Sequence, residues 1–196
     1  MRKFWKAVGA CSIAASLAAC GGGDDAPEDS SFVKGSFTTC DPVEGGMLGS
    51  VRVSVTITDT SMQTTHHVYA GSRSCGGPEA AVVTFPVTQF ADAGTKLVAG
   101  PNGGELLARK AIFTDPAGSV QATVYTDVDY STDNGVLIIH DPNSTGDLYQ
   151  VRLQQQAESG KDVLVRYNGV LYFGGDEVDS EQYPIRIDYS RGFTPF

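Results

Sequence analysis

Val163-Leu164-Val165-Arg166-Tyr167, Asn168-Gly169, Val170-Leu171-Tyr172-Phe173 is the stretch whose reading decides the fold. An Asn-Gly pair between two β-prone runs predicts a two-residue hairpin. Its type I′ turn needs φ > 0 at both central residues, which asparagine and glycine tolerate best. The turn sets the register: Tyr167 opposite Val170, Val165 opposite Tyr172, Leu164 opposite Phe173. One face then carries Val163, Val165, Tyr167, Val170 and Tyr172, and the other Leu164, Arg166, Leu171 and Phe173. An open sheet with one wet side has one polar face. Neither face is polar here, so this hairpin is covered on both sides or lines a cavity.

Outward from it, the same pattern recurs. Val51, Val53, Val55 and Ile57 alternate with Arg52, Ser54, Thr56 and Thr58, the period of a half-buried strand. Strands are expected over 62–70 and 80–87, with Pro86 marking an edge or an end. Further strands are expected over 106–114, 120–128, 136–140 and 148–153. Asp115-Pro116-Ala117-Gly118 and Asp133-Asn134-Gly135 supply turns between them. Residues 89–104 read as loop-rich, since they hold Gly94, Gly100-Pro101 and Asn102-Gly103-Gly104. Gln154-Gln155-Gln156-Ala157-Glu158 has helical composition but is too short to be an element alone.

About eight to ten short strands separated by turns predict an all-β, antiparallel domain over residues 35–196, a β-barrel or a β-sandwich. The pattern resembles a small lipocalin-type barrel, with Gly35-Ser36-Phe37 where that family has Gly-x-Trp. Phenylalanine stands in the tryptophan's place. The resemblance implies an interior that holds an apolar or amphipathic small molecule.

The N-terminus carries an address. Arg2, Lys3 and Lys6 precede a 13-residue apolar and small-residue run, Ala7 to Ala19. A bilayer span needs roughly 20 apolar residues, so a cleaved secretory signal is the reading. Leu17-Ala18-Ala19-Cys20 resembles the lipobox of bacterial lipoproteins. The resemblance implies cleavage before Cys20, a diacylglycerol on its sulfur, and an acyl chain such as palmitate on its new amino group. Several chains on one residue meet the need of stable anchoring for more than one signal. Gly21 in place of Asp points to the outer membrane, with the domain facing the periplasm. Residues 20–34 hold glycines, acids and serines, and form a flexible tether reaching roughly 20 Å.

The chain has 14 basic and 23 acidic residues, net −9. Loss of residues 1–19 removes three bases and no acid, leaving 11 against 23, net −12. That balance argues against nucleic acid and against docking on anionic lipid by charge. Of four cysteines, Cys11 leaves with the signal and Cys20 carries lipid. Cys40 and Cys75 then remain in an oxidising compartment, and a disulfide between them is expected.

Chemistry has few footholds. His66-His67 are adjacent on a strand and point to opposite faces, so they cannot share one ion. Asp127, Asp129, Asp133 and Asn134 suggest a calcium loop, but the glycine, Gly135, comes one residue late and His140 stands where a bidentate glutamate belongs. That stretch reads as an acidic turn. Asp176, Glu177, Asp179 and Glu181 read as a solvated loop, and Asn143-Ser144-Thr145 as a turn. His140-Asp141 beside a serine such as Ser144 could be drawn as part of a triad, but any chain with this many serines offers as much, and no nucleophile-elbow, zinc or phosphate-loop motif occurs. No cofactor, metal ligand or catalytic residue is assigned. The expectation is a membrane-anchored envelope protein that binds a small apolar ligand. The alternatives are an envelope protein-interaction or structural module, and a hydrolase without a visible motif. A lined cavity separates the first from the second.

Overall fold

The computed structural model describes residues 33–44, 48–142 and 145–196. The signal (1–19), Cys20, the tether up to residue 32, and Ser144 lie outside the described residues.

Every regular element among the described residues is a strand. In chain order they are β1 (Gly35–Pro42), β2 (Gly49–Ile57), β3 (Ser61–Ala70), β4 (Glu79–Thr84), β5 (Thr88–Ala99), β6 (Glu105–Asp115) and β7 (Gly118–Ser119). There follow β8 (Gln121–Val124), β9 (Tyr130–Asp133), β10 (Val136–His140), β11 (Asp147–Arg152) and β12 (Gln154–Gln155). The last three are β13 (Glu158–Tyr167), β14 (Val170–Phe173) and β15 (Thr194–Pro195).

The main sheet runs β14-β13-β6-β5-β3-β2-β1-β15, with β4 and β8 branching from β3. Its ladders are antiparallel, as consecutive short connections require. The decisive hairpin has the expected register, Tyr167 with Val170, Val165 with Tyr172 and Leu164 with Phe173. Asn168 and Gly169 adopt φ of 51° and 79°.

The sheet is not closed into a barrel. Its ends meet at one bridged pair, Leu171 with Phe193, and strands of four and two residues cannot carry a continuous closing ladder. The sheet is doubled over instead, in a sandwich-like arrangement. Phe37, Val53, Val55 and Ile57 from β1 and β2 share one core with Phe90, Ala111, Leu164 and Leu171 from β5, β6, β13 and β14. Phe113, Phe173 and Phe193 complete it. Of the two open possibilities, the lipocalin-like barrel gives way to the sandwich.

Two further layers cover the rest. The sheet β11-β10-β9 lays Leu137, Ile139 and Val151 on Val68, Ala81 and Val83 of β3 and β4. Leu148 fits over Gly49, where a Cβ would meet its Cδ1 at 2.0 Å. On the outer side of the 163–173 hairpin, Val163 and Val165 pack with Val98 and Ala108 beneath Tyr183 and Ile187. The hairpin is therefore apolar on both faces because protein covers both.

Three segments differ from expectation: the strand expected over 120–128 is β8 alone, and 125–128 form a turn closed by Val128 N donating to Tyr125 O. Residues 89–104 are mostly strand: β5 pairs with β6 as a long hairpin, and Gly94 (φ 88°) sits in a bulge between Asp92 and Thr95. Residues 154–158 form no helix; they contribute β12 and the start of β13.

Candidate functional site

The interior is the first place to look for a ligand, and buried apolar side chains pack there in three clusters. Its polar residues are engaged with one another. His66 points inward from β3, and its Nδ1 lies 2.7 Å from the Tyr149 hydroxyl, with the Phe85 ring edge-on at 4.7 Å. Burial, then the charges of Arg191 and His67, lower the His66 pKa to about 4. Burial raises the Tyr149 pKa. Arg191 pairs with Asp41, and Arg109 lies 3.1 Å from Asp92 and over the Phe90 ring. His67 faces the other way, as expected, with Nδ1 2.9 Å from Glu79 Oε1.

Among the described residues, a crevice of about 170 Å³ lies where the β3–β4 connection faces the start of β9 and the end of β10. Gly71, Pro78, Glu79, Asp127, Val128 and Pro142 line it. Small-molecule sites usually span roughly 300–1,000 Å³, so this crevice suits one inserted side chain better than a lipid.

Its rim is held rigidly. The expected Cys40–Cys75 disulfide ties β1 to the β3–β4 connection. Ser50 Oγ donates to Ser72 O at 2.7 Å and accepts from Cys75 N at 2.9 Å, while Arg52 donates to Cys75 O. A bulge between Val68 and Tyr69 then sets Glu79 opposite Tyr69.

Glu79 carries the crevice's chemistry. Its Oε1 accepts from Tyr69 Oη at 3.0 Å and meets His67; its Oε2 accepts from Tyr125 Oη at 3.3 Å. Partial desolvation pushes its pKa up, but the hydrogen bonds from His67, Tyr69 and Tyr125 outweigh that and hold it below the usual glutamate range. The Tyr69 pKa is raised, first by desolvation and then by its bond to Glu79. Asp127 lies on the facing wall, so two acidic residues line the crevice.

The chain matches no family model, no curated protein and no solved structure. Its functional reading comes from the geometry.

Of the residues singled out in the sequence, Asp127 lies in the crevice wall and Asp133 opposes Val136 across a turn with Asn134 at φ 48° and Gly135 at φ 76°. Among the described residues, no group of three His, Cys, Asp or Glu is placed to hold a metal ion. His140 is not joined to Asp141, which is buried in the turn after β10; it lies between Ser131 and Asp147. In the acidic segment 176–181, Asp176, Glu177 and Glu181 are exposed as expected, and ion pairs tie it down: Lys96 bonds Asp179 at 2.6 Å, and Lys110 bonds Glu181 at 2.9 Å. Lys110 and Lys161 lie over the Tyr183 ring at 4.4 and 5.0 Å. Glu79, Tyr69 and Tyr125 were not singled out, because only the folded register joins them.

Proposed function

We propose that this is a lipid-anchored module of the bacterial envelope, tethered through Cys20 and facing the periplasm, that recognises a protein partner at its surface. The observation that carries the choice is the apolar core packed between the two halves of the sheet. A core holding Phe37, Phe90, Leu164, Leu171 and Phe193 together favours the interaction module over the small-ligand carrier. The Glu79–Asp127 crevice is the docking point, and a lysine or arginine side chain of the partner is the group it receives. The net charge of −9 supports a basic partner segment and disfavours nucleic acid.

Native mass spectrometry of the protein released gently from its own envelope tests this. The expected species are the bare acylated chain and its complex with another protein. A retained apolar small molecule would restore the carrier. For the anchor, Cys20→Ser should yield uncleaved precursor without acyl label, and maturation at the same bond would remove the lipobox reading.

A further inference from the structure

The outer face of the three-stranded sheet carries a connected array that the crevice does not use. Ser131 lies on β9, His140 on β10 and Asp147 on β11. His140 Nε2 is 3.0 Å from Ser131 Oγ, and His140 Nδ1 is 3.1 Å from Asp147 Oδ1. The second carboxylate oxygen, Oδ2, accepts from Gln150 Nε2 at 2.7 Å. A carboxylate only accepts, so it selects the tautomer protonated at Nδ1 and leaves Nε2 as the acceptor of the serine proton.

Three features of the fold build the array. The Asn134-Gly135 turn sets Ser131 opposite Ile138, which makes His140 its diagonal neighbour on the same face. A bulge between Ile139 and His140 brings Asp147 opposite His140. Bulges of this kind re-aim side chains next to active sites. Lastly, β9 is an edge strand among the described residues. Because His140 N donates to Asp129 O, the Ser131–Ile138 pair is hydrogen-bonded and the N–H groups of Tyr130 and Thr132 turn outward on either side of the serine.

We propose that Ser131 is a nucleophile for acyl transfer, with His140 its general base, Asp147 the group that orients the base, and small exposed carboxylic esters the substrate class. Ser131 Oγ bonds to the carbonyl carbon as its proton passes to His140 Nε2. The carbonyl π pair moves onto oxygen, where one outward amide of the β9 edge, that of Tyr130 or Thr132, is the donor. Collapse of this adduct breaks the bond to the leaving oxygen, which takes the proton from His140 and departs as an alcohol. Water repeats the sequence at the acyl-serine, releasing a carboxylic acid and restoring Ser131. The His140 and Asp147 side chains are each 38% exposed, so the array is open to a small ester and only weakly shielded from water.

A fluorophosphonate, from which the serine oxygen displaces fluoride at phosphorus, is the probe. Incubated with the full chain and read by intact mass and peptide mapping, it should give one adduct, at Ser131. Ser131→Ala should abolish the adduct. His140→Gln should slow labelling by about 100-fold or more, the usual worth of a general base, with the circular dichroism spectrum and the disulfide intact. No adduct on the unaltered chain, an adduct that survives Ser131→Ala, or equal labelling of His140→Gln would each overturn the proposal.

Discussion

Phe193 exchanges both backbone hydrogen bonds with Leu171, at 2.8 and 2.9 Å. That one pair joins the two ends of the main sheet. It also fixes the end of the segment whose Tyr183 and Ile187 cover the outer face of the 163–173 hairpin. The Phe193 ring lies edge-on to Phe173 at 5.4 Å, so one residue ties the closing contact to the inner core.

Phe193→Ala should therefore cost about 3–5 kcal/mol, the usual range for emptying a buried aromatic site. Phe196→Ala, three residues on and 72% exposed, should change stability by no more than about 0.5 kcal/mol. Urea unfolding of the two variants, followed by circular dichroism, checks the contrast.

Acid should weaken the fold through His66. Its pKa is about 4 folded against 6.5 for a free histidine, so between those values the unfolded chain takes up a proton that the folded chain does not. The contribution is fully present above pH 6.5, falls as the pH drops towards 4, and levels off below. The loss is on the order of 3 kcal/mol. His66→Gln should flatten this part of the stability profile, and NMR of the His66 ring in the unaltered protein should show no titration above about pH 5.5.

Reduction of Cys40–Cys75 should lower stability by up to about 4 kcal/mol, the chain-entropy value for a loop of this length. Because this bond holds the β3–β4 connection, the local effect should centre on the crevice. Hydrogen exchange with and without reductant should show its greatest gain over residues 71–79.

Where residue types act through nearest neighbours, the fold was legible. The Asn168-Gly169 turn and the alternation of Val51 to Ile57 define their strands locally; the hairpin has the expected register, and β2 buries Val53, Val55 and Ile57. β5 escaped notice because Gly94 and Asp92 look like loop residues, while the strand exists by virtue of its pairing with β6. Alternation also carries no information on curvature, so barrel and sandwich were indistinguishable before the short β14 and β15 were seen. The acidic segment is exposed at Asp176, Glu177 and Glu181 as read, but its ties to Lys96, Lys110 and Lys161 were hidden because those lysines lie on distant strands. Tyr183 and Ile187 just beyond it were the available signal that something there is buried. Neither Glu79–Tyr69–Tyr125 nor Ser131–His140–Asp147 has sequence spacing of its own. The Asn134-Gly135 turn, read for register as the other hairpin was, would have placed Ser131 beside His140.

The central claim is that a partner docks at the Glu79–Asp127 crevice. A photo-cross-linking side chain at Tyr125, which is 39% exposed and hydrogen-bonds Glu79, tests it in the intact envelope. The expected result is a discrete protein adduct that disappears when Glu79→Gln and Asp127→Asn are added, with no adduct from the same side chain at Leu97. Absence of an adduct at Tyr125, or one that survives the two substitutions, would contradict the claim.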